Sequence, residues 1–126
     1  MLEGVEILIA EDNEINYTLL NEMMNPTRVV IHWAKNGSEA LDLLTKNENI
    51  SLILMDINMP VMDGITATRK IREKKINIPI IFQTAYDSKE NKENCIAAGG
   101  NEYLNKPIQW DKLYMVLKKY LLTSQV

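Results

Sequence analysis

The stretch LILMDINMPVMDG, Leu52 to Gly64, decides the fold. Four apolar residues in succession read as the interior of a buried strand, and the loop after them is punctuated by Pro60 and Gly64. Between the two stands Asp56. A carboxylate at the end of a strand that otherwise avoids water is costly unless it is paired or its pKa moves. A partner from elsewhere in the chain, or a bound ion, must therefore face it.

Working outward, short β-branched runs alternate with longer segments of helical period. VEILIA, Val5 to Ala10, reads as a first strand, and Ile15, Leu19, Leu20 and Met23 after it are spaced as one helix face that Pro26 limits. VVIHWA, Val29 to Ala34, is a second strand, followed by a helix that Ser38 can cap and that carries Ala40, Leu41 and Leu44. SLILM is the third strand, and Ile65, Thr68 and Ile71 mark the helix after it. IPIIFQ, Ile78 to Gln83, is the fourth, with Pro79 tolerable near its start. The segment from Asp87 to Ala98 begins with a polar run and has little apolar face, so it is expected to be the least firmly held helix. EYL is a short fifth strand, and Trp110, Leu113, Tyr114, Leu117 and Leu121 draw the stripe of a closing helix.

Five strands alternating with five helices predict an α/β, doubly wound parallel sheet covered on both faces. With 126 residues, no repeat and no linker, one domain spanning residues 1–126 is expected. A composition 46% hydrophobic and 25% charged is globular, and the apolar runs are too short to span a bilayer. The lone Cys95 excludes an internal disulfide and the lone His32 a His/Cys zinc pair, which suggests a reducing, cytoplasmic setting. A net charge of -3 gives no footprint for nucleic acid.

In such sheets ligands sit beyond the carboxyl ends of the strands. The residues at those ends are Glu11 and Asp12, then Asp56, Thr84 and Lys106. Three carboxylates against one ammonium leave two negative charges, which one Mg²⁺, a cation that prefers oxygen ligands, would neutralise. A carboxylate nucleophile bridged in this way, with Lys106 and the Thr84 hydroxyl beside it, suits phosphoryl transfer onto Asp56.

AEDN after the first strand, MDINMPVMDG around the third, TAY after the fourth and EYLNKP around the fifth together resemble the receiver domain of two-component response regulators. The resemblance runs from Val5 to about Leu122, and EDNEIN is most similar to receivers of hybrid sensor histidine kinases. It implies a flavodoxin-like strand order 2-1-3-4-5. Asp56 would be the residue phosphorylated by a histidine kinase or a histidine phosphotransfer protein. Asp12, Asp56 and the backbone carbonyl of Asn58 would ligate Mg²⁺, with Glu11 acting through water, and Thr84 and Tyr103 would be the hydroxyl and aromatic switch positions. The surface of the fourth helix, fifth strand and fifth helix would meet an output domain or a homodimer partner. Glu11 stands where many members have Asp, and Asn58 and Tyr86 occupy positions that tune access of the hydrolytic water.

Other residues have plainer readings. Pro60, Asp63 and Gly64 shape a turn into the next helix. His32 and Trp33 are strand residues, Cys95 is an apolar filler, and Met55, Met59 and Met62 provide packing and loop cover. A flavodoxin-like cofactor site would need hydroxyl and glycine donors where EDNEIN presents acids. An aspartyl phosphohydrolase usually has Asp-x-Asp, and here the second position is Asn58. A receiver-like module that had lost its phosphorylation would not be expected to keep all three acids together with Thr84 and Lys106. The expectation is a phosphorylation-controlled switch that is not a turnover enzyme and has neither direct nucleic-acid contact nor membrane insertion.

Overall fold

The computed structural model describes residues 2–85 and 89–122. Tyr86, Asp87 and Ser88, which the sequence assigns to the fourth loop and helix start, lie outside the described residues. The elements follow the alternation that the sequence predicts. They are β1 (Glu6–Ala10), α1 (Glu14–Met24), β2 (Val30–Ala34), α2 (Gly37–Lys46), β3 (Ile50–Asp56), α3 (Gly64–Glu73), β4 (Ile80–Thr84), α4 (Lys89–Ala98), β5 (Glu102–Asn105) and α5 (Trp110–Leu121). A 3-10 turn, Asn25–Thr27, carries Pro26 directly after α1.

The five strands form one parallel sheet in the order β2-β1-β3-β4-β5. Both faces are covered. Leu8, Ile53, Met55 and Phe82 pack beneath α2, α3 and α4 with Leu44, Ala67, Ile71 and Cys95. Ile7, Ile9, Leu52, Leu54 and Ile81 pack beneath α1 and α5 with Leu20, Met24, Leu113 and Leu117. β3 is therefore buried along nearly its whole length, as its unbroken apolar run requires.

Three local expectations are corrected. The apolar residues of α1 do not form one face. At roughly 100° per residue, Ile15 and Leu19 fall opposite Tyr17, Leu20 and Met24. The latter set faces the sheet, leaving Ile15 79% and Leu19 46% exposed. In α2 the cap is Asn36 and not Ser38, because the Glu39 backbone N–H donates to Asn36 Oδ1 at 2.9 Å. The helix opens on Gly37, where a Cβ would lie 2.7 Å from the Met62 carbonyl oxygen and 2.9 Å from the Ala67 Cβ, so no side chain fits. In α5, Trp110 is exposed at the first turn and stacks on Tyr114 with centroids 5.3 Å apart, while Val116 joins the buried stripe instead.

The weak apolar face of α4 is present as expected, since only Cys95 and Ala98 of that helix are buried. Its far end is tied down from α3. Arg72 donates to the carbonyl oxygens of Gly99 (2.9 Å), Ile76 and Ile78 (both 2.8 Å), and to Asn101 Oδ1 (3.0 Å). No helix among the described residues is long and apolar enough to cross a membrane.

Candidate functional site

Asp56 is the last residue of β3 and is buried, with the strand pairing β1 on one side and β4 on the other. The chain leaves it through a tight turn. The Gly64 backbone N–H donates to the Ile57 carbonyl at 2.9 Å, and a Cβ at Gly64 would overlap the Asp56 carbonyl. Asp63 caps α3 by accepting from the Thr66 backbone N–H at 2.7 Å, which accounts for its place beside Gly64. Val61, in the loop between Asp56 and Gly64, has φ of 68°, an uncommon region for a β-branched residue.

The partner that Asp56 requires is Lys106, fifty positions along the chain. Its Nζ lies 3.1 Å from Asp56 Oδ2 and 3.1 Å from Glu11 Oε1. Lys106 follows β5, and its peptide bond to Pro107 is cis. Glu11 is fully buried, and its Oε2 accepts from the Asn13 backbone N–H at 3.2 Å. Burial, then hydrogen bonding with Asp56 and its charge, push the Glu11 carboxyl up to about 7. Burial alone would lower the Lys106 ammonium, but Asp56 and Glu11 outweigh it and hold the group above its ordinary value. The lysine therefore stays charged while the two acids compete for it.

Asp12 is exposed at the mouth of the cluster. One oxygen from each of Glu11, Asp12 and Asp56 can be chosen so that all lie within 4.8 Å of one another. An all-oxygen, acid-rich donor set of this size fits a hard divalent cation such as Mg²⁺. Asn58 is exposed, and its backbone N–H points at Asp56 Oδ1 from 3.4 Å. Thr84 is the buried last residue of β4. Tyr103 of β5 pairs in register with Phe82, packs against the core under α2, α3 and α4, and carries Lys92 Nζ 4.9 Å from its ring centroid. By strand alternation Thr84 and Tyr103 share that side of the sheet.

Trp33, read from the sequence as a plain strand residue, acts on this cluster. Its Nε1–H donates to the Glu11 carbonyl oxygen at 2.8 Å. Its ring stacks on Tyr17 of α1 with centroids 4.0 Å apart and planes 5° from parallel, and Lys35 Nζ lies 5.1 Å from it. Since the Glu11 backbone N–H donates to the Ala34 carbonyl at 2.9 Å, β2 holds the acidic turn at both its N–H and its C=O. Only the β1–β2 register brings Trp33 there, so no motif in the sequence marks it.

A doubly wound sheet with an acid-lysine cluster at its carboxyl edge defines the class of domain. The family described as the response regulator receiver domain matches residues 7–118, and the chain belongs to that family. It is 35% identical over 128 residues to the osmosensing histidine protein kinase SLN1 of Saccharomyces cerevisiae, covering 97% of this chain and 10% of that protein. It is 39% identical over 120 residues to hybrid signal transduction histidine kinase I of Dictyostelium discoideum, covering 89% of this chain and 7% of the relative. The chain thus spans about a tenth or less of the length of these relatives. Among solved structures, the Saccharomyces cerevisiae Ssk1 receiver domain, crystallised with the phosphotransfer protein Ypd1, is similar with a TM-score of 0.91 and 28% identity, over 100% of this chain and 94% of that one. The receiver domain of the Pseudomonas aeruginosa sensor histidine kinase PA1611, whose structure has a magnesium ion coordinated in the active site cleft, is similar with a TM-score of 0.85 and 36% identity, over 93% and 97%.

Proposed function

We propose that this domain is a phosphorylation-controlled signalling switch in which Asp56 accepts a phosphoryl group from a histidine kinase or a histidine phosphotransfer protein. One observation carries the reading: a buried strand-end carboxylate held 3.1 Å from a lysine, with two further acids beside it, in a receiver fold. An Asp56 oxygen attacks phosphorus, the P–N bond of the donor phosphohistidine breaks, and the imidazole departs. Lys106 moves with the charge, from the carboxylates onto phosphoryl oxygens, and the Thr84 hydroxyl donates to another. Glu11, Asp12, Asp56 and the backbone carbonyl of Asn58 are the groups that would hold Mg²⁺, Glu11 through water. When bound, that ion supplies the charge neutralisation between carboxylates and phosphoryl oxygens that the acids alone cannot.

Residues 1–126 are read as one receiver domain. Ile15 and Leu19, exposed on the outer face of the helix that begins two residues after Asp12, give an incoming phosphodonor an apolar edge beside the acceptor. The signal leaves by another route. Withdrawal of the Thr84 hydroxyl towards phosphate frees space for the Tyr103 ring, and the thinly anchored α4 moves with it, altering the α4-β5-α5 surface for an output domain or a homodimer partner. The test is intact-mass analysis after incubation with Mg²⁺ and acetyl phosphate. Wild type gains one phosphoryl group and Asp56→Asn gains none. An unmodified wild type, under conditions that label an established receiver, refutes the proposal.

A further inference from the structure

The sheet carries a polar side chain that the reading above does not use. Asp56 is in register with Gln83 on β4, and register partners in a parallel pair face the same side. Ile9, Leu54 and Ile81 line the core beneath α1 and α5, and two residues further along each strand come Glu11, Asp56 and Gln83. These three therefore stand side by side at the carboxyl edge. β4 lies between β3 and β5, so the Lys106 stem, rooted beyond β5, must cross β4 to bring its ammonium to Asp56 and Glu11.

Gln83 is 1% exposed, and neither its Nε2 nor its Oε1 has a hydrogen-bond partner among the described residues. The residues before it, Ile80, Ile81 and Phe82, are apolar, as a central strand requires. A buried carboxamide with nothing to bond penalises the arrangement in which it stands. If another arrangement supplies a partner, that penalty shifts the balance towards it. In the structure Asp56 Oδ2 is taken by Lys106. Once phosphoryl oxygens compete for the ammonium, that oxygen loses its donor, and the Gln83 amide is on the adjoining strand at the same level.

We propose that Gln83 biases this switch towards its phosphorylated form, its Nε2–H donating to the Asp56 oxygen that the Lys106 ammonium gives up. The inference rests on the phosphoacceptor reading of Asp56. It is tested with beryllium fluoride and Mg²⁺ as the phosphoryl mimic, on wild type, Gln83→Met and, as a second apolar replacement, Gln83→Leu. Without the mimic, both variants should melt at a higher temperature than wild type, because an unpartnered polar group has been removed. Both should bind the mimic about tenfold more weakly, the loss of one hydrogen bond to an otherwise unsatisfied group. In wild type, the Gln83 side-chain amide signals in a ¹⁵N spectrum should shift when the mimic is added.

Unchanged mimic affinity with a raised melting temperature would overturn the proposal, since the amide would then be equally unpartnered in both forms. A lowered melting temperature in both variants would also overturn it, by showing that ordered water satisfies the amide before phosphorylation. A wild type that shows no Mg²⁺-dependent response to the mimic refutes the phosphoacceptor reading itself, and this inference with it. The wild-type arm thus separates the two failures.

Discussion

Trp33→Phe removes one N–H and leaves the rest of the aromatic contact nearly in place. The lost bond is the 2.8 Å donation to the Glu11 carbonyl, while the stack on Tyr17 and the burial against α1 persist with a smaller ring. A net loss of about 1 kcal/mol is expected for one such hydrogen bond. For a chain of this length, unfolding entropy per residue converts that loss to a fall of about 4 °C in melting temperature. The larger effect falls on metal binding. Glu11 and Asp12 are consecutive, so releasing the Glu11 carbonyl loosens the peptide that aims the Asp12 carboxylate, and Mg²⁺ affinity should drop about tenfold, the lower end for supporting residues of metal sites. Calorimetric Mg²⁺ titration and thermal unfolding without metal read the two effects separately. Tyr17→Leu is the control, because it removes the stack and keeps the N–H. It should cost stability with little loss of affinity. If Trp33→Phe lowers the melting temperature but leaves Mg²⁺ affinity within twofold of wild type, the positioning role assigned to Trp33 is wrong.

Three further outcomes follow from the geometry. Glu11 keeps its proton in the folded state up to about pH 7, against an ordinary value of 4.5, so its contribution to stability is complete below pH 4.5 and is lost as pH rises through about 7. In metal-free buffer wild type should weaken over that window, and Glu11→Gln should flatten the slope in a denaturant series. Arg72→Met strips four hydrogen bonds that join α3 to the β4 and β5 entrances, and should lower stability by about 2–3 kcal/mol, measured by chemical unfolding. Burial pushes the Cys95 thiol up from 9.0 to about 11, leaving about a hundredfold less thiolate than an ordinary cysteine at neutral pH. Alkylation by iodoacetamide should accordingly be at least that much slower in the native protein than in the unfolded chain, and rapid native labelling would show that α4 opens readily.

The sheet was legible because the first four strands are short runs rich in apolar residues that alternate with helical segments, and the candidate site because β3 and β4 end on Asp56 and Thr84 while Glu11 and Lys106 directly follow β1 and β5. Asp56 and Lys106 were expected to meet, and they do at 3.1 Å. What escaped the sequence depends on relations between elements. α1 has two apolar stripes, and only its docking angle decides that Leu20 and Met24 go inward while Ile15 and Leu19 face out. Asn36, Gly37 and Ser38 can each start a helix, and the close approach of Met62 selects Gly37. Trp33 reaches Glu11 only through strand register. Gln83 did leave a trace, a lone carboxamide closing the apolar run IPIIFQ, but its meaning requires knowing that Asp56 stands opposite.

The lysine that completes the cluster is also the last of its members to be made. A chain growing on the ribosome carries Glu11, Asp12, Asp56 and Thr84 long before residue 106, and β5 must dock at the sheet edge before the ammonium can cross β4. Until then the acids repel one another with no counter-charge from the chain. A nascent or truncated domain holding the first four strands would therefore have most of its hydrophobic core and none of its assembled site, so the chemistry assigned to Asp56 reports that the chain has grown past Lys106 and that β5 has docked.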